Sequence, residues 1–164
     1  MTPADDHEVI NPPHKLAAKV DTGGPGAVTP EVLEQAEQVI VGMTDNYLEW
    51  VERDLESLDV AFRKLEAEPD KADEHVKAIF GISHDVKGQG GSFGYLLMTA
   101  IGNELCRFIE AREESIGPGD VEVIRLHIDA MKVVIGDRLR GDGGDRGESL
   151  LIGLQQVIDK VTKG

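Results

Sequence analysis

The sequence predicts an all-α protein, an up-and-down four-helix bundle with one or two accessory helices. Three observations point there. Aromatic residues make up only 4% of the chain, a shortage that disfavours pleated sheet. From Thr29 onward apolar residues recur at steps of three and four, the helical period, with no convincing strand alternation. The connections after Pro69 are short, so successive helices run antiparallel. A chain of 164 residues is long enough to bury roughly two-thirds of its unfolded surface in one core.

Residues 1–28 stand apart. Pro3, Pro12, Pro13, Pro25 and the glycines at 23, 24 and 26 are spaced too densely for a helix. They are expected to form a flexible N-terminal tail, with a short docking segment over 9–20 as the alternative. The bundle is expected over 29–164. Thr29-Pro30-Glu31 has the makings of a helix start: a hydroxyl cap, a proline and an acid. Val32, Leu33, Ala36, Val39 and Ile40 form its stripe. Gly42 breaks or bends this helix, and Thr44 or Asp45 can cap its continuation. Leu48, Val51, Leu55, Leu58, Phe62 and Leu65 carry the pattern to about Ala67, where Pro69 stops it. Tyr47 and Trp50 are expected to pack.

Asp70 and Asp73 suit the start of a helix running to Phe93, with Ile79, Ile82, Val86 and Phe93 inward. Gly94 breaks it. The next helix runs from Tyr95 to about Glu113, with Leu97, Ile101, Leu105 and Phe108 inward. Gly117-Pro118-Gly119 is a turn, and Asp120 lies in the first turn of a helix ending near Arg140. Val121, Ile124, Ile128, Met131 and Ile135 are its stripe. Residues 141–147 form a glycine and aspartate loop. Leu150, Leu151, Leu154, Val157, Ile158 and Val161 complete the last helix.

The formal charge of −14 disfavours nucleic acid and anionic membranes as partners. No apolar run has the length of a membrane span. The single cysteine, Cys106, permits no intrachain disulfide and no cysteine-based zinc site; it is expected to be a small, partly buried residue. The N-terminus resembles no signal or transit peptide, so a cytoplasmic location is expected. His75 and His127 are expected to be structural or exposed, and they show no metal-ligand spacing.

One stretch breaks the rules of helix composition. Residues 83–94 carry glycines at 88, 90 and 91 inside a helical period, which forgoes roughly 3 kcal/mol relative to alanine. On a helix at about 100° per residue, Lys87, Gly88 and Gly91 lie within about 60° of His84, while Ile82, Val86 and Phe93 lie opposite. An imidazole beside an ammonium, ringed by missing side chains, suits phosphoryl transfer between proteins. A neutral imidazole is a good nucleophile near pH 7, a lysine offsets charge on the phosphoryl oxygens, and glycines admit a second protein.

His84-x-x-Lys87-Gly88, with Ser92 and Gly94 following, resembles the signature of histidine-phosphotransfer (HPt) domains over about residues 30–164. That resemblance implies a helical bundle and a phosphorelay intermediate. His84 would accept the phosphoryl group, Lys87 would stabilise it, and Gly88 would permit close docking. Phe80 and Gly91 would extend the docking surface. A neighbouring-helix residue would hold the imidazole; the candidates are Asn103, Glu104, Arg107 and Glu110. Partners would be a histidine kinase and response-regulator receiver domains, with Mg2+ on the receiver. This chain would need no cofactor or metal of its own, would have no autonomous kinase or ATPase activity, and would be a monomer.

The glycines do not form a dinucleotide fingerprint, because Phe93 takes the third glycine position and no strand precedes it. A P-loop ending is also absent. The alternatives are a non-catalytic helical adaptor and a detached phosphoacceptor domain of a histidine kinase. The latter finds some support in His84-Asp85 but lacks the usual proline a few residues on.

Overall fold

A computed structural model describes residues 26–113 and 115–164. It has five α-helices: α1 (Pro30–Ala67), α2 (Ala72–Gly90), α3 (Leu96–Glu110), α4 (Pro118–Gly136) and α5 (Gly144–Lys163). Single 3-10 turns, Pro69–Lys71 and Gly91–Phe93, lie on either side of α2. No strand occurs among the described residues, so the all-α expectation holds. The 9–20 segment and most of the expected tail lie outside the described residues.

The chain divides into two compact units, Met1–Gly42 and Met43–Gly164. In the first, the described part of α1 starts as expected, with the Val32 N–H donating to the Thr29 hydroxyl at 3.4 Å. The helix runs through Gly42 without a break. Its expected stripe is not core: Val32, Leu33, Val39 and Ile40 are each more than half exposed. Helical periodicity identifies a face that could be buried, and burial then needs something to cover it.

In the second unit the stripes do form the core. Val51, Leu55, Leu58, Phe62 and Leu65 of α1 are buried, as are Ile79 and Val86 of α2, Leu97, Ile101, Leu105 and Phe108 of α3, and Ile124, Ile128, Met131 and Ile135 of α4. Each such side chain contributes roughly 1.5–3 kcal/mol on burial, so a few of them match the whole net stability of about 5–15 kcal/mol. Tyr47 is fully buried, but Trp50 is exposed. Trp50 lies one residue before Val51 and so about 100° off the buried stripe. Helices pack in sequence, α2 on α3, α3 on α4 and α4 on α5, and α3 also touches α5.

The corners differ in detail from expectation. Asp70 falls in a 3-10 turn and does not cap α2, whose first turn carries Asp73 and Glu74. Glu68 closes that corner instead, 3.2 Å from the Lys71 ammonium and 3.1 Å from the His75 ring. The hydrogen bond from Lys71 holds its carboxyl below the usual carboxylate range, and the buried His75 is structural. At α4, Asp120 accepts the Gly117 N–H at 2.9 Å and pairs with Arg112 at 2.9 Å. The α4 helix stops at Gly136, short of Arg140, and α5 begins at Gly144, inside the expected loop. What remains of that loop reaches back to the α2–α3 corner. The Gly141 N–H donates to the Gly94 carbonyl at 2.6 Å, and the Leu97 N–H donates to the Gly141 carbonyl at 2.9 Å.

Candidate phosphoacceptor site

The α2 helix turns one face inward and one outward, as its sequence requires. Ile79, Ser83, Val86 and Gly90 are buried; His84, Gly88 and Gly91 are exposed, and Lys87 is half-buried between the two faces. Among the described residues the His84 ring makes no hydrogen bond. Its aromatic neighbour is half-buried Phe80, four residues back, with ring centroids 6.1 Å apart and planes tilted by 31°. An imidazole with free nitrogens on a convex helix face suits a group delivered by a macromolecule better than a small substrate held in a pocket.

The glycines are not equivalent. A methyl group at Gly88 would meet nothing within 4 Å, and one at Gly91 would make ordinary contacts with Thr99 and Leu96. One at Gly90 would lie 2.8 Å from the Tyr95 carbonyl oxygen and 3.0 Å from Met98 Cβ. Gly90 is therefore a packing glycine, and the bare outer surface rests on Gly88 and Gly91. Gly94, at φ +80°, ends the segment in the left-handed region that glycine enters without steric penalty. Beneath it, Phe93 stacks on Tyr47 at 4.6 Å and 11°. Phe93 therefore packs from the 3-10 turn, not from the last turn of α2.

Where α2 meets α3, Gly102 allows close approach. A methyl group there would lie 2.9 Å from Lys87 Cβ and 3.2 Å from the Ser83 carbonyl oxygen. Thr99, one turn earlier, donates its hydroxyl to the Lys87 carbonyl at 2.9 Å and accepts the Gly91 N–H at 2.9 Å. Sequence reasoning missed both residues. The available signal was the spacing of small side chains along α3, at 99, 102 and 106, which marks a face fit for close packing.

Gly102 shows that the Asn103–Glu104 level of α3 does lie opposite His84. Helical phase then separates the four ring-holding candidates. Glu104, about 200° around from Gly102, faces α4, with Oε2 3.8 Å from the Nε2 atom of His127. Buried His127 also places Nδ1 2.7 Å from the Val123 carbonyl, so it is structural. Arg107 is exposed and Asn103 half-buried. Glu110 lines a shallow groove with Phe80, Val76 and Ile109, and so shares a surface with the histidine's aromatic neighbour. None of the four hydrogen-bonds the His84 ring.

The surrounding charges are mixed. Burial, and then the Asp85 carboxylate, push the Asp54 carboxyl above its ordinary value. On the α3 side, burial pushes the Cys106 thiol up; the nearby Lys87 charge pulls it down and Glu110 pushes it up. Cys106 is fully packed, and the Lys87 backbone and Cβ lie against the Gly102 position on the α2–α3 seam. Among the described residues no group of three His, Cys, Asp or Glu could hold a metal ion, and no helix is long and apolar enough to cross a membrane.

No curated protein and no solved structure matches the chain. The family model for the Hpt domain does match, over residues 42–133. That span runs from the end of the first unit through most of α4 and includes the whole His84 face of α2. It covers more than half of the sequence, and the chain belongs to the Hpt-domain family, the all-helical phosphotransfer modules of two-component signalling that work with kinases and receiver domains.

Proposed function

We propose that this protein is a phosphorelay intermediate that carries a phosphoryl group on His84 between a histidine kinase or receiver domain and a response-regulator aspartate. A lone pair of the neutral imidazole attacks the phosphorus of an aspartyl phosphate. The new N–P bond forms as the acyl P–O bond breaks, and the aspartate leaves as its carboxylate. The reverse step delivers the group to a second receiver. Lys87 offsets the charge on the phosphoryl oxygens. Phe80, Gly88 and Gly91 receive the partner's surface. Mg2+ belongs to the receiver, and this chain acts as a cytoplasmic monomer with no ATP chemistry of its own.

The observation that supports this best is the exposure of His84 and Gly88 on one face of α2, in a helix whose opposite face is core. Lys87, three residues on, adds the complementary charge. Phosphoramidate phosphorylates accessible imidazoles and needs no docking partner. Purified protein is expected to gain one acid-labile adduct, read by intact mass and phosphorus NMR. The adduct should be absent in His84→Gln and should move onto an added receiver domain. Equal labelling of the variant would overturn the reading in favour of a helical adaptor, and a stable parallel dimer in sedimentation would favour a detached kinase domain.

A further inference from the structure

We infer that Thr99 is a positioning residue for the His84 face, holding the glycine turn on which a partner docks. The inference rests on the phosphocarrier reading above. In an unbroken α-helix the N–H of Gly91 would donate directly to the C=O of Lys87, four residues back. Here the Gly91 N–H turns toward the Gln89 carbonyl of its own turn, and the hydroxyl of Thr99, reaching across from α3, bridges both ends of that pair. It accepts from Gly91 at 2.9 Å and donates to Lys87 at 2.9 Å. A side chain placed in the hydrogen-bond ladder in this way ends or kinks a helix. The α2 helix ends at Gly90, and the 3-10 turn Gly91–Phe93 begins there.

The turn needs such a support. Glycines at 88, 90 and 91 leave the backbone more conformational freedom than any other residue would, and Gly88 has no neighbour on its open side. The same bareness that admits a partner removes the side-chain contacts that would hold the segment. Thr99 supplies the missing restraint from beneath, while Gly102 lets α3 approach closely enough to do so. The bridged pair brackets Gly88, so the docking surface is ordered before the partner arrives and loses less freedom on binding.

Thr99→Val keeps the shape of the side chain and removes the hydroxyl; Thr99→Ser keeps the hydroxyl. Amide exchange at Gly91, read by NMR, is expected to be about fivefold faster or more in Thr99→Val, the scale of one lost hydrogen bond. The receiver concentration giving half-maximal transfer from phosphorylated protein should rise by a similar factor. Labelling of His84 by phosphoramidate should stay within about twofold, because that small donor needs no docking surface. Thr99→Ser should restore both wild-type values. If thermal unfolding shows that Thr99→Val does not fold, Thr99→Ala removes the hydroxyl with a smaller side chain and is judged by the same two readouts. Wild-type protein that takes no phosphoryl group at His84 would overturn the phosphocarrier reading and the docking role with it. A labelled wild type, with the hydroxyl-free variant matching Thr99→Ser in Gly91 exchange and in receiver dependence, would overturn the role of Thr99 alone.

Discussion

At Gly88 an added methyl group would meet no atom within 4 Å, whereas at Gly147 it would fall on the Asp142 carbonyl oxygen. Both glycines belong to glycine-rich stretches, 88–94 and 141–147, that look alike in composition. In the first, Gly88 leaves the outer face of a helix bare; in the second, Gly143 and Gly147 sit where a side chain does not fit, while Gly141 and Gly144 are open. In the second, Gly143 sits at φ +76°, with Leu97 packed over it, and Gly141 donates its N–H to Gly94 of the first stretch and accepts the Leu97 N–H of α3. Arg140 adds its guanidinium over the Tyr95 ring at 5.4 Å. The closed stretch thus anchors the corner that ends the open one. Glycine content alone does not separate a docking surface from a packing constraint; what a Cβ would touch does.

The largest effect is expected where the packed stretch is broken. Gly147→Ala sets a methyl group against backbone, which cannot rotate away, so the α4–α5 corner must move. Unfolding in denaturant should show a loss of about 3 kcal/mol or more, at the upper end for overpacking. A cost below about 1 kcal/mol would mean that this corner is as open as the Gly88 face.

Next in size is the support under the open stretch. Burial, followed by the neighbouring Tyr95 and Asp54, pushes the Tyr47 hydroxyl up to about 12. The folded state therefore holds this proton more tightly than the unfolded chain does. The associated stability is fully present below pH 10 and is lost as pH rises toward 12. Two pKa units correspond to about 3 kcal/mol. Tyr47→Phe keeps the stack on Phe93 and removes a buried hydroxyl that has no hydrogen-bond partner. It should unfold within about 1 kcal/mol of wild type at pH 7 and lose less stability between pH 10 and 12. An unchanged alkaline profile in thermal melts would show that another group causes the loss.

The sequence carried the fold where periodicity and burial coincide, from Tyr47 to the end of α4, because stripes at three- and four-residue steps have a core to face. It misjudged α1 before Gly42, where Val32, Leu33 and Val39 keep the same spacing but stay exposed. Periodicity describes one helix, and burial depends on two. The site was legible to the same extent. His84 and Gly88 share an element, so helical phase alone placed them on one exposed face, with Lys87 falling at its edge, half-buried against α3. The α3 residues required both level and phase across a corner. Of the four candidates Asn103, Glu104, Arg107 and Glu110, Glu104 turns toward His127, and none reaches the His84 ring. The small residues at 99, 102 and 106 mark a close-packing face of α3, but that spacing does not encode Thr99's bridge between two backbone atoms of another helix.

The smallest effect has the opposite sign and tests the open stretch directly. Gly88 lies in the interior of α2, with nothing near the position of a Cβ. Alanine there keeps helical geometry, reduces the freedom of the unfolded chain and touches no neighbour, so Gly88→Ala should raise stability by about 1 kcal/mol. A glycine kept at that cost is explained if the surface must stay bare for a partner. The more stable variant should therefore transfer its phosphoryl group less well, needing more receiver for half-maximal transfer while still taking the group from phosphoramidate at the wild-type rate. The unfolding midpoint and the receiver titration are read on the same preparation. Greater stability with unchanged receiver dependence would show that Gly88 serves no docking purpose, and the open stretch would then be bare without a function in transfer.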